Sequence, residues 1–129
     1  MKEVKSIKTN ILGEDYTINL NTPREVLTDC DGSCSRYDKL ISMVDIDEIF
    51  DGGGTEEGRR KRYAEGLRHE IIHAFFEESG LDEYSENEEL VQWLAIQFPK
   101  ILNVLESIDD KIYVEFNNTK LWDVNTVYE

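Results

Sequence analysis

One long helical stretch, from Thr55 to Ser79, constrains this chain more than any other feature, and it carries both histidines of the sequence. Thr55 is a favourable N-cap, and Glu56 and Glu57 suit the positive end of a first turn. Leu67, Ile71, Ala74 and Phe75 recur at helical spacing and form one apolar stripe that asks for burial. Gly80 is a natural stop. Ahead of the stretch, Asp51-Gly52-Gly53-Gly54 has too much backbone freedom for a regular element and reads as a flexible loop. The spacing therefore predicts a helix over 56–79, with the rest of the fold covering one side of it.

Before it, residues 4–20 read as two short strands around a turn at Gly13-Glu14-Asp15, with Tyr16, Ile18 and Leu20 on the apolar face. Residues 28–36 are turn chemistry, rich in Asp, Ser and Gly. Residues 39–46, dominated by β-branched and apolar side chains, predict a further strand. After the long helix, a polar linker over 81–86 leads to a second one. Ser85 and Glu88 stand there in capping-box spacing, ahead of Leu90, Val91, Trp93, Leu94 and Phe98. Pro99 is expected to break or kink this helix, and Ile101 to Leu105 to continue as a further helical segment that Asp109-Asp110 closes. Residues 112–124 suggest a terminal hairpin about Asn117-Asn118. Trp93 and Trp122 read as core residues. The expected architecture is α+β: a small antiparallel sheet packed on two helices, with 1–129 as a single domain.

Composition limits the partners. The formal charge of −14 on 129 residues argues against nucleic acid or an anionic membrane held by a basic surface. It fits a solvated acidic surface, or mimicry of nucleic acid by an acidic protein that occupies a DNA-binding partner. Arg59, Arg60, Lys61 and Arg62 form the one basic cluster and read as a solvated helix face. No apolar run approaches the roughly 20 residues of a membrane span. The start Met1-Lys2-Glu3-Val4-Lys5 lacks an apolar stretch behind its lysines, so a cytoplasmic protein is expected. Cys30 and Cys34 are spaced unlike the pairs of zinc ribbons or thiol oxidoreductases and read as free thiols.

The chemistry lies in His69-Glu70-Ile71-Ile72-His73, an H-E-x-x-H pentapeptide inside the long helix. Positions i and i+4 share a face, so both imidazoles can reach one ion. Glu70 then stands beside that ion, suited to take a proton from water as a general base. Zinc fits, because neutral imidazole is one of its preferred ligands. The plainer alternative is a pair of surface histidines on a helix. A catalytic zinc site takes three protein ligands and one open position. No third histidine exists, and Phe76 stands where the longer H-E-x-x-H-x-x-G-x-x-H motif has its glycine. Glu88 is the preferred third ligand, with Glu89 and Cys34 as alternatives. Tyr63 and Tyr84 are candidates for proton donation or oxyanion stabilisation, with nothing to select either.

The stretch Leu67 to Ile101 resembles the zincin metallopeptidases, and within them the gluzincin arrangement, in which a glutamate on the following helix completes the metal site. Asn87-Glu88 matches the start of the gluzincin N-E-x-x-x-D pattern, while Gln92 stands in place of its Asp. The stretch is also similar to small ImmA/IrrE-like metallopeptidases, often encoded by phages and mobile elements, which cleave intracellular proteins where their activity is known. The resemblance implies zinc held by His69, His73 and Glu88, Glu70 as the catalytic base, and a protein or peptide substrate. It also implies that the strand at 39–46 borders the cleft and pairs with an extended substrate. Two other functions remain: a deformylase-like amidase with a cysteine ligand, and a non-enzymatic acidic interaction protein with a residual zinc site.

Overall fold

The computed structural model describes residues 3, 5–49 and 54–112. The strands are β1 (Ser6–Ile11), β2 (Glu14–Thr22), β3 (Gly32–Ser35) and β4 (Leu40–Val44). A 3-10 turn at Ile46–Glu48 follows, then the helices α1 (Glu56–Glu78), α2 (Asp82–Glu86) and α3 (Glu88–Ile112). The fold is α+β, as the sequence predicts. The glycine run at 52–53 and the hairpin expected from residue 113 onward, with Trp122, lie outside the described residues.

β1 and β2 form the expected hairpin. Its turn falls on Leu12 and Gly13, both at positive φ (50° and 92°), the pairing that lets two residues reverse a twisted ribbon. Alternation then sends Tyr16 and Ile18 inward, to a cluster with Ile11, Ile41 and Ala74, against which Leu20, Leu67 and Ile71 pack. The sheet order is β1-β2-β4-β3. β1–β2 and β3–β4 are antiparallel but β2–β4 is parallel, so the sheet is mixed where a purely antiparallel one is expected. The cause is β3. Gly32-Ser33-Cys34-Ser35 has turn composition and no strand propensity, yet it pairs with Leu40–Met43 along its whole length. The chain thus runs out to the edge along β3 and returns between β3 and β2. β4 becomes an interior strand, with Ile41, Met43 and Val44 fully buried.

α1 begins as its sequence directs, with Thr55 Oγ1 accepting the Gly58 N–H at 2.9 Å. It ends in a Schellman motif: Gly80 N–H donates to Glu77 O at 3.1 Å, Leu81 N–H to Phe76 O at 2.8 Å, and Gly80 takes φ 75°. Its buried stripe is Leu67, Ile71 and Ala74, whereas Phe75 is 44% exposed and stands off the core. The segment 81–86 is helical. Ser85, buried in α2, does not cap α3. That role belongs to Asn87, whose Oδ1 accepts the Leu90 N–H at 3.0 Å. α3 passes through Pro99 without ending, and Trp93 on it is 54% exposed, so the tryptophan is a surface residue. Contacts divide the chain into two compact units, Met1–Ala95 and Ile96–Glu129, with the border inside α3. The first contains the sheet, α1, α2 and the opening of α3; the described part of the second is helix. No helix among the described residues is long and apolar enough to cross a membrane.

Because Asn87 carries the cap, Glu88 has no capping duty. Replacing Asn87 with Ala is expected to lower stability by about 1 kcal/mol. Glu88→Ala in the metal-free protein is expected to change it by no more than about 0.5 kcal/mol, as read by chemical denaturation.

Candidate metal centre

α1 sets His69 and His73 one turn apart, with ring centroids 4.8 Å from each other and Nε2 atoms 3.1 Å apart. The Schellman stop at Gly80 and short α2 reverse the chain, so that the first residue of α3 returns to the middle of α1. Glu88 Oε2 then lies 2.9 Å from His69 Nε2, and Oε1 lies 3.0 Å from His73 Nε2. The histidine side chains are 16% and 12% exposed and that of Glu88 67%, so the centre opens to solvent on its carboxylate side. Behind the rings, His69 Nδ1 meets Gln92 Oε1 at 2.8 Å and His73 Nδ1 meets Ser85 Oγ at 2.9 Å.

Among the described residues, His69, His73 and Glu88 are the group with one ligand atom each within 4.8 Å of one another. The donor set fits a zinc ion. Two Zn–N bonds of about 2.0–2.1 Å at a tetrahedral angle span about 3.3 Å, near the separation of the two Nε2 atoms. Glu89 and Cys34, the alternatives for the third ligand, fall outside this group. Burial, reinforced by Glu77, Glu70 and Glu78, pushes the Cys34 thiol up to about 12, which keeps it protonated at neutral pH.

Glu70 lies beside the centre, against β3. Burial, the largest effect, lifts its carboxyl from the usual 4.5 to about 7; the nearby His69 opposes the rise, and Glu88 and Glu77 add to it. His73 moves the other way, held below the usual 6.5 chiefly by burial, which favours the neutral ring a metal needs. Space for Glu70 comes from Gly32. A Cβ there would stand 2.6 Å from Met43 Sδ and 3.2 Å from Glu70 Cγ, so glycine lets strand and helix approach closely. A cleft of about 420 Å³ opens on the His73 side, lined by Cys34, Arg36, Glu77 and Ser85. Another of about 320 Å³ opens on the His69 side, over Met43 and Gly66, and Glu70 lines both.

The strand beside these clefts is β3. The segment 39–46, expected there, is interior and has both edges paired. Val44 N–H donates to Asp31 O at 2.9 Å, and with this register Ser33 and Ser35 bond to β4. Alternation turns the backbone N–H and C=O of Gly32 and Cys34 to the outer edge of the sheet. Tyr63 is occupied elsewhere, donating to Leu20 O at 2.7 Å, and Tyr84 stacks on Phe76. Within the basic cluster, Arg60, Lys61 and Arg62 pair along α1 with Glu56, Glu57 and Glu65. Gly32 and Ser85 are the residues of this region that sequence reasoning missed, because both carry ordinary turn and cap signals.

Two outcomes follow for the purified protein. Zinc is expected to bind at a ratio of one, and His69→Ala or His73→Ala to abolish it while Cys34→Ser does not; equilibrium dialysis with metal analysis reads both. In the metal-free protein, a carboxyl raised from 4.5 to about 7 contributes stability that is full below pH 4.5 and lost as pH rises through about 7. Glu70→Gln is therefore expected to be more stable than the parent at pH 8 and not at pH 4, by denaturant titration. Comparison with family models, curated proteins and solved structures finds no match, so the functional case rests on this geometry.

Proposed function

We propose that this protein is a zinc-dependent peptidase of gluzincin arrangement, acting on a protein or peptide in the cytoplasm. The observation that carries the reading is the meeting of His69 Nε2, His73 Nε2 and the Glu88 carboxylate at 2.9–3.1 Å, with Glu70 half-buried beside them.

His69, His73 and Glu88 would hold the metal. When bound, zinc supplies Lewis acidity and brings the pKa of water in its sphere toward neutrality. Glu70 accepts the proton from the attacking water on a carboxylate oxygen and returns it to the departing amine nitrogen. The outward C=O of Gly32 and the N–H and C=O of Cys34 offer an extended peptide backbone partners of an added strand, which would bring its carbonyl toward the metal site. The two clefts flanking Glu70 would take the side chains on either side of the scissile bond. The amidase reading loses support because Cys34 lies outside the ligand group.

The test is a peptide library incubated with zinc-loaded protein, with new termini read by mass spectrometry. Cleavage is expected in the parent. Glu70→Gln is expected to keep its zinc and to lose about 10²–10⁴-fold in rate. Equal turnover by that variant, or no cleavage of any peptide by the zinc-loaded parent, would contradict the proposal. A biological effect that survived Glu70→Gln would favour the non-enzymatic interaction protein.

A further inference from the structure

Glu65, His69, His73 and Glu77 follow one another at four-residue intervals along α1, a glutamate at each end and the two histidines between. Neither glutamate is the partner of its histidine's ring nitrogen. Each is joined to it through one neutral side chain from a later helix. His73 Nδ1 lies 2.9 Å from Ser85 Oγ, and that hydroxyl donates to Glu77 Oε2 at 3.0 Å. His69 Nδ1 lies 2.8 Å from Gln92 Oε1, while the Gln92 amide donates to Glu65 Oε1.

With both glutamates ionised, the direction of these chains implies where the Nδ1 protons sit. A hydroxyl has one proton, and a carboxylate has none to offer. With its proton on Glu77, Ser85 can only accept from His73, so His73 carries a hydrogen on Nδ1. With its NH₂ on Glu65, Gln92 presents only its carbonyl oxygen, so His69 carries a hydrogen on Nδ1 as well. With a hydrogen on Nδ1 of each ring, the Nε2 atoms are the ones that face each other, at 3.1 Å, and the Glu88 oxygens, at 2.9 and 3.0 Å, separations that a shared proton or a metal ion would bridge. Ser85 is 6% exposed, and Asn87 performs the capping that its position suggests for it, so its hydroxyl is free for this purpose.

We propose that Ser85 and Gln92 are positioning residues. Each ties a ligand histidine to a carboxylate of the same helix, fixes its Nδ1–H tautomer, and aims its Nε2 lone pair at one point before any metal arrives. The proposal rests on reading His69 and His73 as metal ligands. An orienting partner of this kind typically contributes about 10–100-fold to metal affinity.

Two readouts test it. Nitrogen NMR of the imidazoles in the metal-free parent at about pH 8, where unperturbed rings are neutral, is expected to show both protonated at Nδ1 and bare at Nε2. In Ser85→Ala, His73 is expected to lose that preference while His69 keeps it, and Gln92→Leu is expected to do the reverse. Zinc affinity, from competition with a chelator, is expected to fall about 10–100-fold in each variant and to recover largely in Ser85→Thr. A parent with His73 protonated at Nε2 overturns the proposal whatever the variants do, so a variant that fails to fold leaves it decidable. Unchanged tautomer and affinity in Ser85→Ala overturn it too. A parent with the expected tautomers but no zinc affinity would contradict the metal reading instead.

Discussion

The meeting of Glu88 with the Nε2 atoms of His69 and His73 is the interaction around which the first 95 residues are arranged. It brings three groups with lone pairs to within about 3 Å of one another on the surface of a protein of net charge −14. Such a contact is unfavourable without a cation or a proton to share, and every nearby element holds it in place. Leu67, Ile71 and Ala74 fix the face of α1 on the sheet. Gly80 at positive φ closes α1 and turns the chain. Asn87 takes the capping load at the start of α3 and leaves Glu88 free to reach back. An acid-rich surface around the centre would favour a divalent cation further, since its field attracts positive charge.

The sequence made the long helix, its caps and the histidine pair on one helix face legible, because each has a short-range physical signal. The H-E-x-x-H spacing, Thr55 and Gly80 needed nothing beyond their neighbours. The hairpin was legible for the same reason, through period-two alternation. β3 was not. Its four residues acquire strand structure only because β4 offers a pairing edge, and that one element makes the sheet mixed and moves β4 inside. Phe75 and Trp93 were misplaced because apolar periodicity marks a face without saying how far along it the covering layer extends.

Within the centre, Glu88 was readable as a candidate third ligand but not separable from a capping role, since both uses call for an acidic residue at the same place. Ser85 shows the converse. It has a capping signature, yet its hydroxyl is engaged wholly by side chains brought near in the fold, His73 and Glu77. The four-residue ladder Glu65, His69, His73, Glu77 was in plain view, but its meaning depends on Ser85 and Gln92, which reach it only in three dimensions. Gly32 is of the same kind: its need for a missing Cβ follows from Met43 and Glu70, distant in sequence and adjacent in space.

X-ray absorption at the zinc edge of the protein loaded with one equivalent of zinc tests the central claim most directly, because it reads the ligand atoms themselves. Two imidazole nitrogens and carboxylate oxygen are expected at about 2.0–2.2 Å, with the remaining position filled by water and no sulfur. A zinc–sulfur distance of about 2.3 Å, or a shell with no imidazole, would contradict it.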